Sequence, residues 1–64
     1  MNFGENLREA RKAAKMTQQQ MADILCIDRT TYTKYETRNV QPSFEHLAVI
    51  AKVLQVSVDD LLLK

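Results

Sequence analysis

Five polar residues recur at the spacing of one helix face, and they are Arg29, Thr30, Thr33, Lys34 and Thr37. Arginine and lysine can donate hydrogen bonds to guanine O6 and N7, and a threonine methyl can touch the methyl of thymine. The face carries donors, hydroxyls and short side chains but no large aliphatic residue, whereas a solvated helix face more often alternates charges. This pattern indicates a surface that can enter the major groove of DNA.

Residues that could perform covalent or metal chemistry are scarce. Cys26 and His46 are the single cysteine and the single histidine. His46 has no second histidine, serine nucleophile or metal partner near it, so we expect a surface role. Cys26 is interpreted as a small turn residue, with a redox switch as the alternative. Without paired acids, metal-ligand spacing or a phosphate-binding glycine loop, the sequence predicts no enzyme, cofactor, metal site or small-molecule effector.

Length and composition limit the architecture. The 64 residues can build one domain, 1–64, with no room for a separate sensor. One glycine, one proline and few aromatic residues favour an all-α fold. A single cysteine excludes an internal disulfide, so helix capping or self-association must add stability.

The net charge of +1 is weak evidence for an anionic partner, but the distribution of the charges along the chain is stronger evidence. Residues 1–16 and 28–38 are each net positive, whereas the part from Gln41 onward is slightly acidic. Arg8, Lys12 and Lys15 form either part of a basic face or a solvated one. The sequence shows no signal peptide and no long apolar run, so we expect a soluble, cytoplasmic protein without a membrane partner.

Helix-start signals predict five helices. Thr17 and Gln20 form a capping box before Gln18–Leu25, and Asp28 can cap the amides of the next helix, Arg29–Thr37. Ser43 and Ser57 can cap two later helices, the first ending near Leu54. The first helix, about 3–15, lacks a clear cap. The predicted core follows the helical period and consists of Phe3, Leu7, Ala10, Ala14, Met21, Ala22, Leu25, Tyr32, Tyr35, Leu47, Ile50, Ala51, Leu54, Leu61 and Leu62.

The second and third predicted helices are joined by only Cys26, Ile27 and Asp28, which forces a steep crossing. Ala22 is small where the third helix passes, and Ile27 can fill the gap between the helices. These features are typical of a helix-turn-helix. An ordinary αα corner is the alternative, and the polar outward face of the third helix favours the helix-turn-helix.

The sequence resembles the Cro and lambdoid-phage-repressor family. The resemblance is carried by the run TQQQMADILCIDRTTYTKYETRNVQP, the opening FGENLREARKAAKMT and the ending PSFEHLAVIAKVLQVSVDDLLL. It extends over the full chain and implies a lambda-repressor-like fold. The implied function is a transcriptional regulator, a repressor, that binds a palindromic operator in double-stranded DNA.

The resemblance also assigns roles to individual residues. Those implied to contact base edges or nearby phosphates are Arg29, Thr30, Thr33 and Lys34. Those implied to lie at the DNA backbone are Gln18, Thr37, Arg38 and Asn39. An internal ion pair is implied between Arg11 and Glu36. Three positions that usually hold glycine in this family carry Cys26, Arg38 and Gln55, so these turns are either strained or of different geometry.

One recognition helix reads only a few base pairs, so we expect a symmetric homodimer that is weak in solution and strengthened on DNA. The predicted contact surface is the C-terminal end, with Val56, Val58, Leu62 and Leu63. Of these, Val58 and Leu63 are expected to be exposed. The alternative function is a protein-interaction or antitoxin-type module on the same fold.

Overall fold

The described residues form five α-helices. The computed structural model describes residues 2–38 and 40–62 and the backbone of Leu63. The helices are α1 (Phe3–Ala13), α2 (Gln18–Leu25), α3 (Arg29–Thr37), α4 (Phe44–Leu54) and α5 (Val58–Leu63). Within the described residues there is no strand, and the prediction of an all-α, five-helix fold is confirmed. No helix in this part of the chain is long and apolar enough to cross a membrane.

Side-chain caps begin four of the helices. At α2, the Thr17 hydroxyl accepts from the Gln20 amide at 3.0 Å, and the Gln20 side chain accepts from the Thr17 amide at 2.8 Å. Ser57 and Asp60 make the same reciprocal pair of bonds before α5, at 3.0 and 3.3 Å. Ser43 caps α4. Asn2, which the sequence analysis did not identify, caps α1 by accepting from the Glu5 amide at 2.9 Å.

The start of α3 differs from the prediction. Asp28 occupies the cap position, but its side chain makes no capping hydrogen bond to a backbone amide. Its carboxylate accepts instead from the Thr31 hydroxyl at 2.6 Å. This hydrogen bond lowers the pKa of Asp28 below its ordinary value.

Three helices end in the same way. After α1, α2 and α4, one residue adopts a left-handed conformation: Lys15 (φ 59°), Cys26 (φ 58°) and Gln55 (φ 58°). The amide of the following residue donates to a carbonyl five residues earlier, at 3.0 to 3.1 Å, which is the bond of a Schellman motif. The left-handed residue at position 15 also ends α1 earlier than predicted.

Arg38 does not share this geometry. It has φ −114° and ψ 8°, in the ordinary negative-φ half of backbone space. Of the three positions where the family usually has glycine, only Cys26 and Gln55 therefore carry left-handed backbone, and Arg38 has a different turn geometry.

The core lies where α1 and α2 pack on α3, and where α4 and α5 close over them. Its buried apolar residues are Phe3, Leu7, Met21, Ala22, Leu25, Tyr32, Tyr35, Leu47, Ile50, Ala51, Leu54 and Leu61. All of these were predicted. Ala10 is only half-buried, and the prediction was wrong for Ala14 and Leu62, which are exposed. Both lie near the end of a helix, where the apolar stripe extends beyond the neighbouring helices.

Asn6 is a buried polar residue that the sequence analysis missed. Its Nδ2 atom donates to the carbonyl oxygen of Leu61 at 3.0 Å, which ties α1 to α5. The partner is 55 positions away in the chain. A pairing over that separation has no local sequence signal, since it depends on how the helices pack.

Candidate nucleic-acid interface

The turn between α2 and α3 sets the position of the candidate interface. Cys26 reverses the chain in the left-handed conformation, and the Ile27 amide donates to the carbonyl of Ala22 at 3.0 Å. Ala22 is fully buried, so α3 can pass close to α2, and Ile27 packs half-buried against the core. Tyr32 and Tyr35 anchor the inner face of α3, with ring centroids 6.0 Å apart in an edge-to-face arrangement. The inward position of both tyrosines excludes stacking on bases.

The outer face of α3 forms a cleft of about 300 Å³, which we call the α3 cleft. It is lined by Arg29, Thr30, Thr33, Lys34, Thr37 and Arg38. All are exposed except Thr33, which is half-buried. The structure thus brings together all four predicted base-contact residues and two of the predicted phosphate contacts. Asn39 lies outside the described residues.

The α3 cleft is electropositive because Arg29, Lys34 and Arg38 all line it. No acidic side chain is among its lining residues. Cations on one face attract the phosphates of nucleic acid and release their counterions on binding. Short hydroxyl side chains between the cations leave room for base edges to approach.

Arg11 and Glu36 tie α1 to the end of α3. Arg11 Nε lies 2.7 Å from Glu36 Oε2, and Arg11 Nη2 donates to Glu36 Oε1 at 3.3 Å. Arg11 Nη1 also donates to the Met16 carbonyl at 2.8 Å. The side chains are 12% and 1% exposed, so the pair is largely removed from water. The structure therefore places the two residues in the arrangement that the resemblance implied.

The electrostatics of this pair follow from its burial. Burial alone would raise the pKa of Glu36, but hydrogen bonds, above all from Arg11 and with a further one from Gln18, outweigh it, and the net shift is downward. The hydrogen bond to Glu36 raises the pKa of Arg11. Burial beside the carboxylate raises the pKa of the neighbouring Tyr32. Glu36 is thus held as an anion.

Gln18 connects this ion pair to the α3 cleft. Its Nε2 donates to Glu36 Oε1 at 3.1 Å, and its Oε1 accepts from the Thr33 hydroxyl at 3.2 Å. The side chain is half-buried. Gln18 is the first residue of α2, where amides without a helical partner can bind an anion.

The residues predicted at a dimer contact differ in exposure. Val56 and Val58 are half-buried against the core, and Leu62 is 39% exposed. The expectation that Val58 is exposed was wrong, because the first turn of α5 packs onto the core. The side chain of Leu63 lies outside the described residues.

Phe44 is an exposed aromatic residue that the sequence analysis did not single out. It is 77% exposed and continues the apolar stripe of α4 one turn before Leu47. Phe44 fits the apolar spacing of α4, so the sequence alone does not distinguish it from a core residue. The structure shows that the buried part of α4 begins only at Leu47.

Comparison with known proteins places this geometry in a family. Residues 7–61 match the family model described as Helix-turn-helix. The chain belongs to this helix-turn-helix family. The matched range contains the Arg11–Glu36 pair, Gln18 and the whole α3 cleft. Together with a phage repressor among the relatives and a repressor among the solved structures, this match confirms the resemblance to the Cro and lambdoid-phage-repressor family.

Two curated relatives are similar over nearly all of this helix-turn-helix chain. The HTH-type transcriptional regulator YqaE of Bacillus subtilis is 48% identical over 94% of the chain and 52% of the relative. The cryptic phage CTXphi transcriptional repressor RstR of Vibrio cholerae is 44% identical over 95% of the chain and 54% of the relative. The chain thus spans about half the length of each of these two relatives.

A solved structure shares the fold. It is the P22 c2 repressor in complex with a synthetic operator, with a TM-score of 0.88 and 28% identity. The match covers 98% of this chain and 96% of that chain. The lambda-repressor-like arrangement of five helices is therefore confirmed for this helix-turn-helix protein.

Proposed function

We propose that this chain is a sequence-specific DNA-binding domain of a transcriptional repressor, with α3 in the major groove of its operator. The observation that carries the proposal is the α3 cleft. Three cations and three threonines line it on a helix whose other face is held in the core. A rigid helix with an electropositive outer face is suited to read base edges while it neutralises phosphates. The P22 c2 repressor, which has the same fold, was solved in complex with a synthetic operator.

The residues divide into two roles in this proposal. Arg29, Thr30, Thr33 and Lys34 contact base edges, because they occupy the outer face of α3. Gln18, Thr37, Arg38 and Asn39 contact phosphates. For Arg38, the support is its exposed position at the end of α3, beyond the residues that would lie deepest in the groove. Phosphate contacts set the register of the protein, and base contacts select the sequence.

The chain acts on DNA as a weak symmetric homodimer. One copy of α3 reads too few base pairs for useful specificity in a genome, and two copies related by a two-fold axis read a palindrome. The contact is proposed at the C-terminal end, with Val56, Val58, Leu62 and Leu63. Exposure of Leu62 supports this location.

Selection of bound DNA from a random pool tests the function directly. We expect the wild-type chain to enrich two inverted half-sites about one helical turn apart, ~34 Å. A double variant, Arg29→Ala with Lys34→Ala, should enrich no sequence. The matched control, Arg8→Ala with Lys52→Ala, removes two exposed cations outside the α3 cleft and should enrich the same site. If the folded wild-type chain enriched no sequence, the proposal would be wrong and a protein-interaction module would be favoured.

A further inference from the structure

A directed chain of hydrogen bonds runs from the ion pair to the α3 cleft. An ionised carboxylate can only accept hydrogen bonds. Glu36, whose pKa is held low, accepts from Arg11 at 2.7 Å and from Gln18 at 3.1 Å. The carboxamide of Gln18 must therefore turn its NH₂ group toward Glu36 and its oxygen away. The reverse orientation would place the Gln18 carboxamide oxygen beside the Glu36 carboxylate oxygen with no hydrogen between them, so only this orientation forms a hydrogen bond.

The fixed carboxamide determines what the next group in the chain can do. Gln18 Oε1 lies 3.2 Å from the Thr33 hydroxyl and, as an oxygen, can only accept from it. The Thr33 hydroxyl also lies 2.8 Å from the carbonyl oxygen of Arg29, a second group that only accepts. A hydroxyl has one hydrogen and two lone pairs. Both protein partners therefore compete for the single hydrogen of Thr33, and it stays inside the protein.

We propose that this arrangement makes Thr33 a hydrogen-bond acceptor toward DNA, which selects an amino group of a base in the major groove. The inference rests on the proposed function, because it assigns a chemical preference to one residue of the α3 cleft. The amino groups available there are adenine N6 and cytosine N4. The carbonyl groups, guanine O6 and thymine O4, only accept, so they would face the lone pairs of Thr33 without a hydrogen between them.

Every base pair carries one amino group and one carbonyl group in the major groove, on opposite strands. Exchange of an A·T pair for G·C leaves purine and pyrimidine in place and swaps these two groups. An acceptor at Thr33 therefore distinguishes A from G, or C from T, at one position of one strand. Selection of this kind needs no charged group at the base, but it requires that Gln18 Oε1 and the Arg29 carbonyl oxygen hold the Thr33 hydrogen.

Thr30 provides a contrast within the same cleft. Its side chain is exposed and makes no hydrogen bond to the described residues, so its hydroxyl can either donate or accept. Thr30→Val is therefore a matched control for Thr33→Val. Both variants replace a hydroxyl with a methyl group on the same face of α3, but only Thr33 has its hydrogen held by the protein.

The test uses the operator selected by the wild-type chain. Comparison of the sites selected by wild type and by Thr33→Val identifies the base pair whose preference changes. At that pair, the amino group is then deleted chemically, by purine in place of adenine or 2-pyrimidinone in place of cytosine. We expect this deletion to weaken wild-type binding by about five- to tenfold, the effect of one hydrogen bond, and to weaken Thr33→Val binding by less than about twofold. Thr30→Val can change the overall affinity for the operator, but the amino deletion should weaken its binding by the same factor as it weakens wild-type binding.

Other outcomes separate the inference from the function. If no operator were selected, the proposed function itself would fail. If an operator were selected but the amino deletion weakened wild type and Thr33→Val equally, only the inference would be overturned. Deletion of the carbonyl at the same pair, with 2-aminopurine in place of guanine or 5-methyl-2-pyrimidinone in place of thymine, gives the opposite test. A selective loss there would show that Thr33 donates its hydrogen to DNA.

Discussion

Cys26 and Gln55 end two different helices with almost the same left-handed backbone, φ 58° and ψ 38° against φ 58° and ψ 43°. Each is followed by an apolar residue, Ile27 or Val56, that packs half-buried on the core. Lys15 and Met16 repeat the pair after α1. The same motif therefore occurs three times: a Schellman turn followed directly by an apolar residue that packs on the core. The left-handed position in each of these turns lacks the glycine that this conformation favours.

Replacement of Gln55 by glycine should stabilise the protein by about 0.5 to 1 kcal/mol. Glycine removes the steric cost of the side chain at positive φ, and its greater freedom in the unfolded chain offsets part of the gain. Urea unfolding followed by circular dichroism would measure the change. Arg38→Gly is the matched control and should not stabilise, because Arg38 has φ −114°. Equal stabilisation by both variants would show that the left-handed turn is not the cause.

Three helix starts were predictable from local signals, whereas the end of α1 and the cap at Asp28 were not. Thr17, Ser43 and Ser57 cap helices at the predicted positions, and the apolar period located most of the core. The misses have a different origin. Asn6 is buried because α5 packs over it, and Leu62 is exposed because it lies near the end of α5, where the apolar stripe extends beyond the neighbouring helices. Both depend on contacts between distant segments, which no local pattern records.

Stability should fall when the pH drops below the ordinary pKa of Glu36, 4.5. The folded state lowers this pKa, so it binds the proton less tightly than the unfolded chain does. The contribution of Glu36 is therefore complete above pH 4.5 and is lost as the pH falls through the lower, folded value. Unfolding free energies measured from pH 7 to pH 3 would show the loss.

Glu36→Gln is the control for this pH dependence, because it removes the carboxyl group of Glu36 and leaves all other carboxyl groups in place. The variant leaves the Arg11 charge without its partner, so we expect a cost of about 3 kcal/mol or more at pH 7. The difference between the two proteins should shrink as the pH falls below 4.5, where the unfolded chain protonates Glu36, and through the lower folded pKa, below which Glu36 is neutral in both states. Both proteins are compared in the Gln55→Gly background, whose expected gain of about 0.5 to 1 kcal/mol offsets part of this cost. A difference that stayed constant with pH would contradict the assignment.

Arg29→Ala should cost about 1 to 3 kcal/mol on the selected operator and relax the preference at one base pair. Arg29 is exposed at the start of α3 and lines the α3 cleft. Its guanidinium can donate to guanine O6 and N7 together. Binding titrations on the operator and on random DNA would separate the two effects. An equal loss on both would show that Arg29 contacts phosphate and does not read a base.

Arg38→Ala should weaken binding to all DNA sequences by a similar factor. A lost phosphate contact releases about one counterion fewer, so the slope of log K against log salt should become shallower by about 1. Titrations at several salt concentrations would measure the slope. Lys52→Ala, which removes a cation of α4 outside the α3 cleft, should leave the slope unchanged. An unchanged slope for Arg38→Ala would remove Arg38 from the proposed interface.

The site was predictable to the extent that it lies on one helix face. Arg29, Thr33 and Lys34 share the α3 cleft because their spacing follows the helical period. The side-chain role of Gln18 was not predictable in this way. Its two hydrogen bonds join residues 15 and 18 positions away, and they depend on where the buried carboxylate lies.

Leu62→Lys should reduce operator affinity by about tenfold and leave binding to a single half-site unchanged. Val56, in the turn after α4, and Val58 both pack half-buried against the core. The described apolar surface at the C-terminal end is therefore centred on Leu62. A patch this small supports only weak association in solution, and the operator adds the avidity of two bound copies. A lysine there would place two like charges across a two-fold axis.

Val49→Lys is the matched control, because Val49 is 38% exposed, close to the 39% of Leu62, but lies on α4. Sedimentation with and without the operator decides the question: we expect monomers in solution and two copies on the palindrome. A one-to-one complex on a non-palindromic site, or full operator affinity after Leu62→Lys, would exclude this dimer.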